Sequence, residues 1–139
     1  MESIPCTRDK RKARIKTMKD VITILKSVGA IIIDSHFVGT SGRHMPAYIN
    51  KDALTSHTKH TSEVGKLFAE KFKNKNIEVV AAPAVAGIPL SQWTAHHLSR
   101  ISKKEVLSVF TEKALNKNGE EDQIFKRGYG ALVNGKRIL

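Results

Sequence analysis

The stretch that decides the fold is Ile77-Glu78-Val79-Val80-Ala81-Ala82-Pro83-Ala84-Val85-Ala86-Gly87-Ile88-Pro89-Leu90-Ser91-Gln92-Trp93-Thr94-Ala95-His96-His97-Leu98. Its first six residues form a short apolar run rich in β-branched side chains and ended by Pro83, which predicts a buried strand over 77–82. Pro83 to Gly87 are small or turn-forming. Ile88 to Leu98 predicts a helix, with Pro89 in a first turn where its missing N–H costs nothing. A strand, a small-residue loop and a helix N-terminus together can offer backbone N–H groups to an anion, because small side chains let a phosphate approach the main chain. The same pattern also suits an ordinary connection in an α/β domain.

Outward from this unit the composition sets bounds. The 139 residues suit one domain or part of one, and 40% hydrophobic residues suffice for a modest core. A formal charge of +11 favours an anionic partner, such as a phosphorylated metabolite, a nucleic acid or an acidic surface. The lone Cys6 leaves no internal disulfide and fits a reducing compartment. No apolar run reaches membrane-spanning length and no signal peptide opens the sequence, so the expected location is cytoplasmic, without a membrane partner.

Before the central unit, residues 1–16 read as a basic tail. Arg8, Lys10, Arg11, Lys12, Arg14 and Lys16 carry no interleaved aromatic residue, which favours a solvated tail over a nucleic-acid arm. A helix is predicted from Thr17, with Met18, Val21, Leu25 and Val28 on one face and Gly29 as its stop. Ala30–Ile33 and His36–Val38 are extended candidates. Gly39 to Arg43 is a turn, and Met45 to Asn50 is the returning strand of a hairpin, with Tyr48 and Asn50 on one face and Ile49 and Lys51 on the other. Ser41, Gly42 and Arg43 at its tip could clamp an anion or merely be solvated. His57 and His60 have a metal-like spacing but no neighbouring cysteine or third histidine, which argues against zinc.

A second helix is expected from Thr61 or Ser62, burying Val64, Leu67, Phe68 and Phe72. Trp93 reads as core, and His96 and His97 as helix surface. Glu105 to Thr111 predicts a second core strand. Glu112 to Gly128 is polar, and reads as a long loop of the functional or disordered kind. Tyr129 to Val133 reads as a short strand, Asn134-Gly135 as a turn, and Lys136 to Leu139 as the opening of another strand. Strands separated by helices predict an α/β parallel sheet.

Three segments, in this order and spacing, carry a resemblance. They are Thr40-Ser41-Gly42-Arg43 with Ala47-Tyr48-Ile49-Asn50-Lys51-Asp52-Ala53, then Ala82 to Trp93, then Lys126-Arg127-Gly128-Tyr129. Over roughly residues 18 to 139 the chain resembles the type I phosphoribosyltransferases, and in particular their orotate-type members. The resemblance implies a Rossmann-like parallel sheet flanked by helices. It implies a hood over residues 17–52 and the first part of the core over 53–139, with a flexible catalytic loop at 112–127.

The resemblance also implies roles. Ala84, Val85, Ala86 and Gly87 become a pyrophosphate loop, which in the family often carries a strained cis peptide. Ser41, Gly42, Arg43, Tyr48 and Lys51 become base-binding residues, and Lys113 and Lys117 become catalytic. Its implied reaction moves ribose 5-phosphate from phosphoribosyl diphosphate to a pyrimidine base, with Mg²⁺ bound through the substrate and a homodimer closing each site.

Three departures stand beside it. Thr40 and Ala86 occupy places where orotate enzymes carry lysine, and Lys51, read as a hood-strand cation, could compensate for one of them. The family's phosphoribosyl-diphosphate signature, an acidic pair ending a strand before a threonine- and glycine-rich loop, does not occur and would fall just after Leu139. The expectation is a chain without its C-terminal part and without transferase activity by itself. A non-catalytic, nucleotide-responsive regulator or RNA-binding protein of the same fold is the alternative.

Overall fold

The computed structural model describes residues 21–39 and 41–139. The basic tail, the start of the first helix and Thr40 lie outside them. The chain divides into two compact units, Met1–Leu54 and Thr55–Leu139.

In the first unit, helix α1 covers residues 21–27, and Gly29 follows it at φ 66°. The predicted hairpin is present as two short ladders. Strand β1 (Ile31–Ile32) pairs antiparallel with β4 (Tyr48–Ile49), and β2 (Phe37–Val38) pairs with β3 (His44–Met45). Between the ladders, residues 33–36 face only Pro46 and Ala47, and Asp34 takes a left-handed φ of 56°. Unequal arms and a proline without an N–H break the ladder into an inner and an outer pair.

The returning strand ends at Ile49. Asn50 accepts the N–H of Asp52 through its side chain (3.1 Å), and helix α2 runs Lys51–Thr55. The reading of Lys51 as a strand cation is therefore corrected. Asn50 competes for the backbone as a helix cap, and this takes both residues out of the strand.

In the second unit, helix α3 spans Thr58–Phe72, three residues earlier than its predicted start. It buries Thr61, Val64, Gly65 and Ala69, whereas Phe68, expected in the core, is exposed. The stripe is shifted because α3 meets its neighbour through small residues. A Cβ on Gly65 would lie 2.7 Å from the Cβ of Trp93, 2.9 Å from its carbonyl carbon and 3.0 Å from the backbone nitrogen of Thr94. Those atoms belong to helix α4 (Gly87–Ser102) and cannot rotate aside. Gly65→Ala is therefore expected to lower stability by about 1–2 kcal/mol, because the overpacking outweighs the gain in helix propensity. Chemical denaturation midpoints check this.

Strand β5 (Val79–Pro83) pairs in parallel with β6 (Leu107–Leu115), in the register Val79↔Leu107 to Pro83↔Thr111. Residues 137–139 lie in parallel on the other edge of β5, through Val79↔Ile138 and the bonds Ala81 N–H to Leu139 O and Leu139 N–H to Val79 O, both 2.9 Å. The predicted closing strand is present only as a single bridge at Ile138. Ala69, Val80, Ala95, Leu98 and Val106 form the core between helices and sheet, with Ile77 and Leu139 packed against it.

Glu78 anchors this closing segment. Its carboxylate accepts from Lys136 Nζ (2.9 Å) and from the Arg137 backbone N–H (3.2 Å), and these bonds hold it below the usual carboxylate range. Because the folded state favours the charged form, the stability gained is present above the ordinary carboxylate pKa and lost as pH falls through the lowered one. Glu78→Gln is expected to flatten the acid limb of a stability–pH curve. The effect is small because the pair is exposed to solvent.

Two further expectations are corrected. Tyr129–Val133, read as a strand, is helix α5, entered through Gly128 at φ 78°. Five apolar residues fit either period, and the left-handed entry decides between them. The stretch after Thr111 is no irregular loop. Strand β6 continues to Leu115 and turns through residues 116–120, and β7 (Glu121–Ile124) returns antiparallel, Leu115↔Glu121 to Glu112↔Ile124. The described helices include none long and apolar enough to cross a membrane.

Candidate active site

The connection from β5 goes through α4 to β6 on one side, while residues 137–139 return to its other side. The order reverses at β5, and in such sheets the crevice outside the carboxyl end of the switch strand is where ligands bind. That end of β5 is Pro83, followed by Ala84, Val85 and Ala86 and then by the first residue of α4, Gly87.

The loop is pinned at both ends. The Ala84 N–H donates to Thr111 O at 2.9 Å, tying it to β6, and the Ile88 N–H donates to Val85 O at 3.1 Å. The Ala84–Val85 peptide bond is cis. Val85 is 81% exposed, so it projects outward rather than filling the core. The Ile88 N–H is taken by its bond to Val85 O and Pro89 has none, so the donors left at the positive end of the helix dipole are the N–H groups of Val85, Ala86 and Gly87, which have no backbone acceptor among the described residues.

Gly87 has a specific reason to be glycine. A Cβ there would meet the Cβ of Ala82 at 2.9 Å and the Pro83 ring at 3.3 Å. Its absence lets the N-terminus of α4 sit directly on the end of β5. Close packing, rather than an unusual backbone angle, sets this requirement.

The hairpin of β6 and β7 leaves from the same end of the sheet. Thr111 is level with Pro83, so Lys113 stands two residues, about 7 Å, beyond it. Side chains knit the arms together. Lys113 Nζ donates to Glu121 at 2.7 Å, Thr111 Oγ1 to Gln123 at 2.7 Å, and Arg127 to Glu112 at 2.9 Å. The Arg127 guanidinium lies 5.7 Å from the centre of the Phe110 ring, which meets Tyr129 edge-on at 5.3 Å.

At the turn, the Asn116 side chain accepts the N–H groups of Asn118 (2.9 Å) and Glu120 (3.0 Å), and Gly119 takes φ 79°. Lys117 sits in this turn and makes no ion pair among the described residues. Arg127 holds the Glu112 carboxyl below its ordinary range through their hydrogen bond.

The residues expected to hold the base lie in the first unit. Gly42 (φ 75°) and Arg43 form the inner turn, where the Gly39 N–H donates to Arg43 O at 2.8 Å; Ser41 is exposed beside them. Tyr48 packs one side against Phe37, with ring centroids 5.2 Å apart, and stays half-exposed. Lys51 opens α2 rather than extending the strand. The structure thus brings Ala84, Val85, Ala86 and Gly87 to the same sheet end as Lys113, and gathers Ser41, Gly42 and Arg43 at one hairpin tip.

Sequence reading missed Glu112, Glu121 and Arg127 as partners that shape the hairpin. Their signal is an alternation of opposite charges that registers only once the turn at Asn116 is fixed.

No family model matches the chain. Among curated relatives, the orotate phosphoribosyltransferase of Bartonella quintana is 37% identical over 124 residues, covering 87% of this chain and 57% of that protein. An orotate phosphoribosyltransferase of Thermus thermophilus is 33% identical over 121 residues, covering 86% and 59%. The chain therefore spans somewhat over half the length of the curated relatives it matches. Among solved structures, Leishmania donovani UMP synthase aligns with a TM-score of 0.55 at 14% identity, over 86% of this chain and 23% of that one. The orotate phosphoribosyltransferase of Mycobacterium tuberculosis aligns at 0.54 and 15%, over 86% and 64%. These structural likenesses concern the fold, a parallel-containing sheet flanked by helices. Over most of its length the chain is thus similar in sequence to orotate phosphoribosyltransferases, and its fold agrees with theirs.

Proposed function

We propose that this protein transfers ribose 5-phosphate from phosphoribosyl diphosphate to orotate in pyrimidine nucleotide synthesis. The observation that carries the reading is the Ala84–Gly87 loop at the carboxyl end of the switch strand, continuous with the N-terminus of α4 and bonded to the root of the hairpin that bears Lys113. Its basis in sequence is the 37% identity to a named orotate phosphoribosyltransferase.

In the proposed reaction a ring nitrogen of the base bonds to the anomeric carbon of the ribose, while the bond from that carbon to pyrophosphate breaks. The electron pair leaves with the pyrophosphate, so negative charge grows there and positive charge on the sugar. The main-chain N–H groups of Val85, Ala86 and Gly87, held by the bonds of Ala84 to Thr111 and of Ile88 to Val85, would meet that charge with little reorganisation. Lys113 supplies a mobile cation once Glu121 releases it. Ser41, Arg43, Tyr48 and Lys51 are assigned to the base, the arginine to its carboxylate and the tyrosine ring to its face.

The described residues include no group of three or more carboxylate, imidazole or thiolate side chains suited to a metal ion. The donors at the loop are N–H groups and lysine, which suit an anion and not a cation. Magnesium, bound through the donor substrate, would help to neutralise the leaving pyrophosphate. A homodimer and a cytoplasmic location belong to the same proposal.

The test is a steady-state assay of pyrophosphate release by the full-length protein with orotate and phosphoribosyl diphosphate. Turnover that requires both substrates is expected. Release of pyrophosphate at the same rate without orotate would overturn the assignment.

A further inference from the structure

A second concentration of positive charge lies away from the 84–87 loop, on the outer side of the α3–α4 pair. A groove of about 330 Å³ is lined by Lys66 and Glu70 of α3 and by His97, Arg100 and Ile101 of α4. The two helices are locked at Gly65 against Trp93, so the spacing between their side chains is fixed by backbone packing. His97 is oriented, with Nε2 2.9 Å from the hydroxyl of Ser62 on α3 and its ring 6.0 Å from that of Trp93. Glu70, the one carboxylate in the lining, is already engaged by Lys73 at 3.1 Å. Three basic side chains from two rigid helices therefore share a groove whose carboxylate is engaged elsewhere.

We propose that the α3–α4 groove is a second anion site, in which Lys66, His97 and Arg100 bind a phosphate group. Arginine offers a planar fork to two phosphate oxygens, lysine a point charge, and the imidazole an N–H whose charge the ligand can induce. The apolar edge of Ile101 leaves room beside the phosphate for the carbon skeleton of an ester. The donor–base site of the proposed transferase does not use these residues, so the groove is a place for a regulatory phosphate ligand.

The electrostatics agree in sign. Burial, the neighbouring His96, Lys66 and Arg100 all push the His97 pKa down, opposed by its bond to Ser62. Facing the ring are Ser62 and Lys66 from α3, with Glu70 further along the groove, and Trp93, His96 and Arg100 from α4. A bound dianion would oppose these contributions and favour the imidazolium.

The experiment follows the His97 ring resonances by NMR during titration with inorganic phosphate at pH 7.5, where the dianion prevails. Wild type, Lys66→Gln/Arg100→Gln and Gly87→Ala are compared, with backbone spectra reporting that each variant is folded. The expected result is a saturable shift of His97. Affinity should weaken at least about tenfold in the double variant and persist in Gly87→Ala. A non-saturating shift, equal affinity in the double variant, or loss in Gly87→Ala alone would overturn the second site. The last of these would assign the binding to the 84–87 loop. Failure of the groove leaves the transferase reading untouched, because that reading is measured by turnover.

Discussion

Lys113→Ala is expected to lower kcat by a factor of roughly 30 to 1,000, about 2–4 kcal/mol of transition-state stabilisation, while weakening ground-state binding of the donor far less. The charge on the leaving pyrophosphate grows only as the bond breaks, so a cation that meets it then acts on kcat rather than on affinity. In the structure Lys113 is held by Glu121 across the hairpin at 2.7 Å, with both side chains well exposed. An exposed pair of this kind contributes little to stability and is easily exchanged for a stronger anion. Glu121→Gln therefore separates two roles. If Lys113 serves only to brace the hairpin, both variants change kcat equally and slightly. If it serves the leaving group, Lys113→Ala is severe and Glu121→Gln mild. Steady-state kinetics with direct donor binding on the three proteins decides this.

Gly87→Val is expected to remove binding of phosphoribosyl diphosphate, weakening it by at least about tenfold and lowering stability by about 1–3 kcal/mol. Its first carbon would already stand 2.9 Å from the Ala82 Cβ and 3.3 Å from the Pro83 ring. The branched methyls add to a contact that is too close before they are counted. The N-terminus of α4 must then move off the end of β5, and its N–H groups lose their aim at the crevice. Core residues such as Ala69, Val80 and Leu98 lie further along the helices and sheet, so the secondary structure should persist. Calorimetric titration and circular dichroism check the two halves of this expectation.

The α/β unit was legible because its signals are local and repeated: β-branched strand, small loop, then an amphipathic helix. Both central strands and the connecting helix appear where the pattern puts them, displaced by one to four residues at their ends, and the closing segment pairs through a single bridge at Ile138. Displacement is greatest where propensity is silent. Helix α4 continues through Ser99, Arg100 and Ile101 and stops at Lys103, which takes a left-handed φ of 57°. His97, read as surface, is partly buried by its bond to Ser62 of α3, a partner 35 residues away.

The hairpin was illegible for a different reason. Both faces of β7 are exposed, so no apolar alternation marks it. Its order rests on Lys113–Glu121, Thr111–Gln123 and Glu112–Arg127, pairs that acquire meaning only in register. Phe68 erred in the opposite direction. Its size suggested core, but helix contact at Gly65 and Ala69 demanded small residues and turned the phenylalanine outward. The turn between β5 and α4 was readable from composition, whereas the packing role of Gly87 and the capping role of Asn50 emerged only from neighbours in space.

The central claim is that the crevice at the carboxyl end of β5 receives the pyrophosphate of the donor. The most direct measurement is a ¹⁵N NMR titration of the protein with phosphoribosyl diphosphate, following the backbone amides of Ala84, Val85, Ala86 and Gly87. The account predicts that these four amides show the largest saturable shifts, with a common affinity, and that the Lys113 amide moves with them as the hairpin responds. Saturation by the donor with the 84–87 amides unmoved would contradict it.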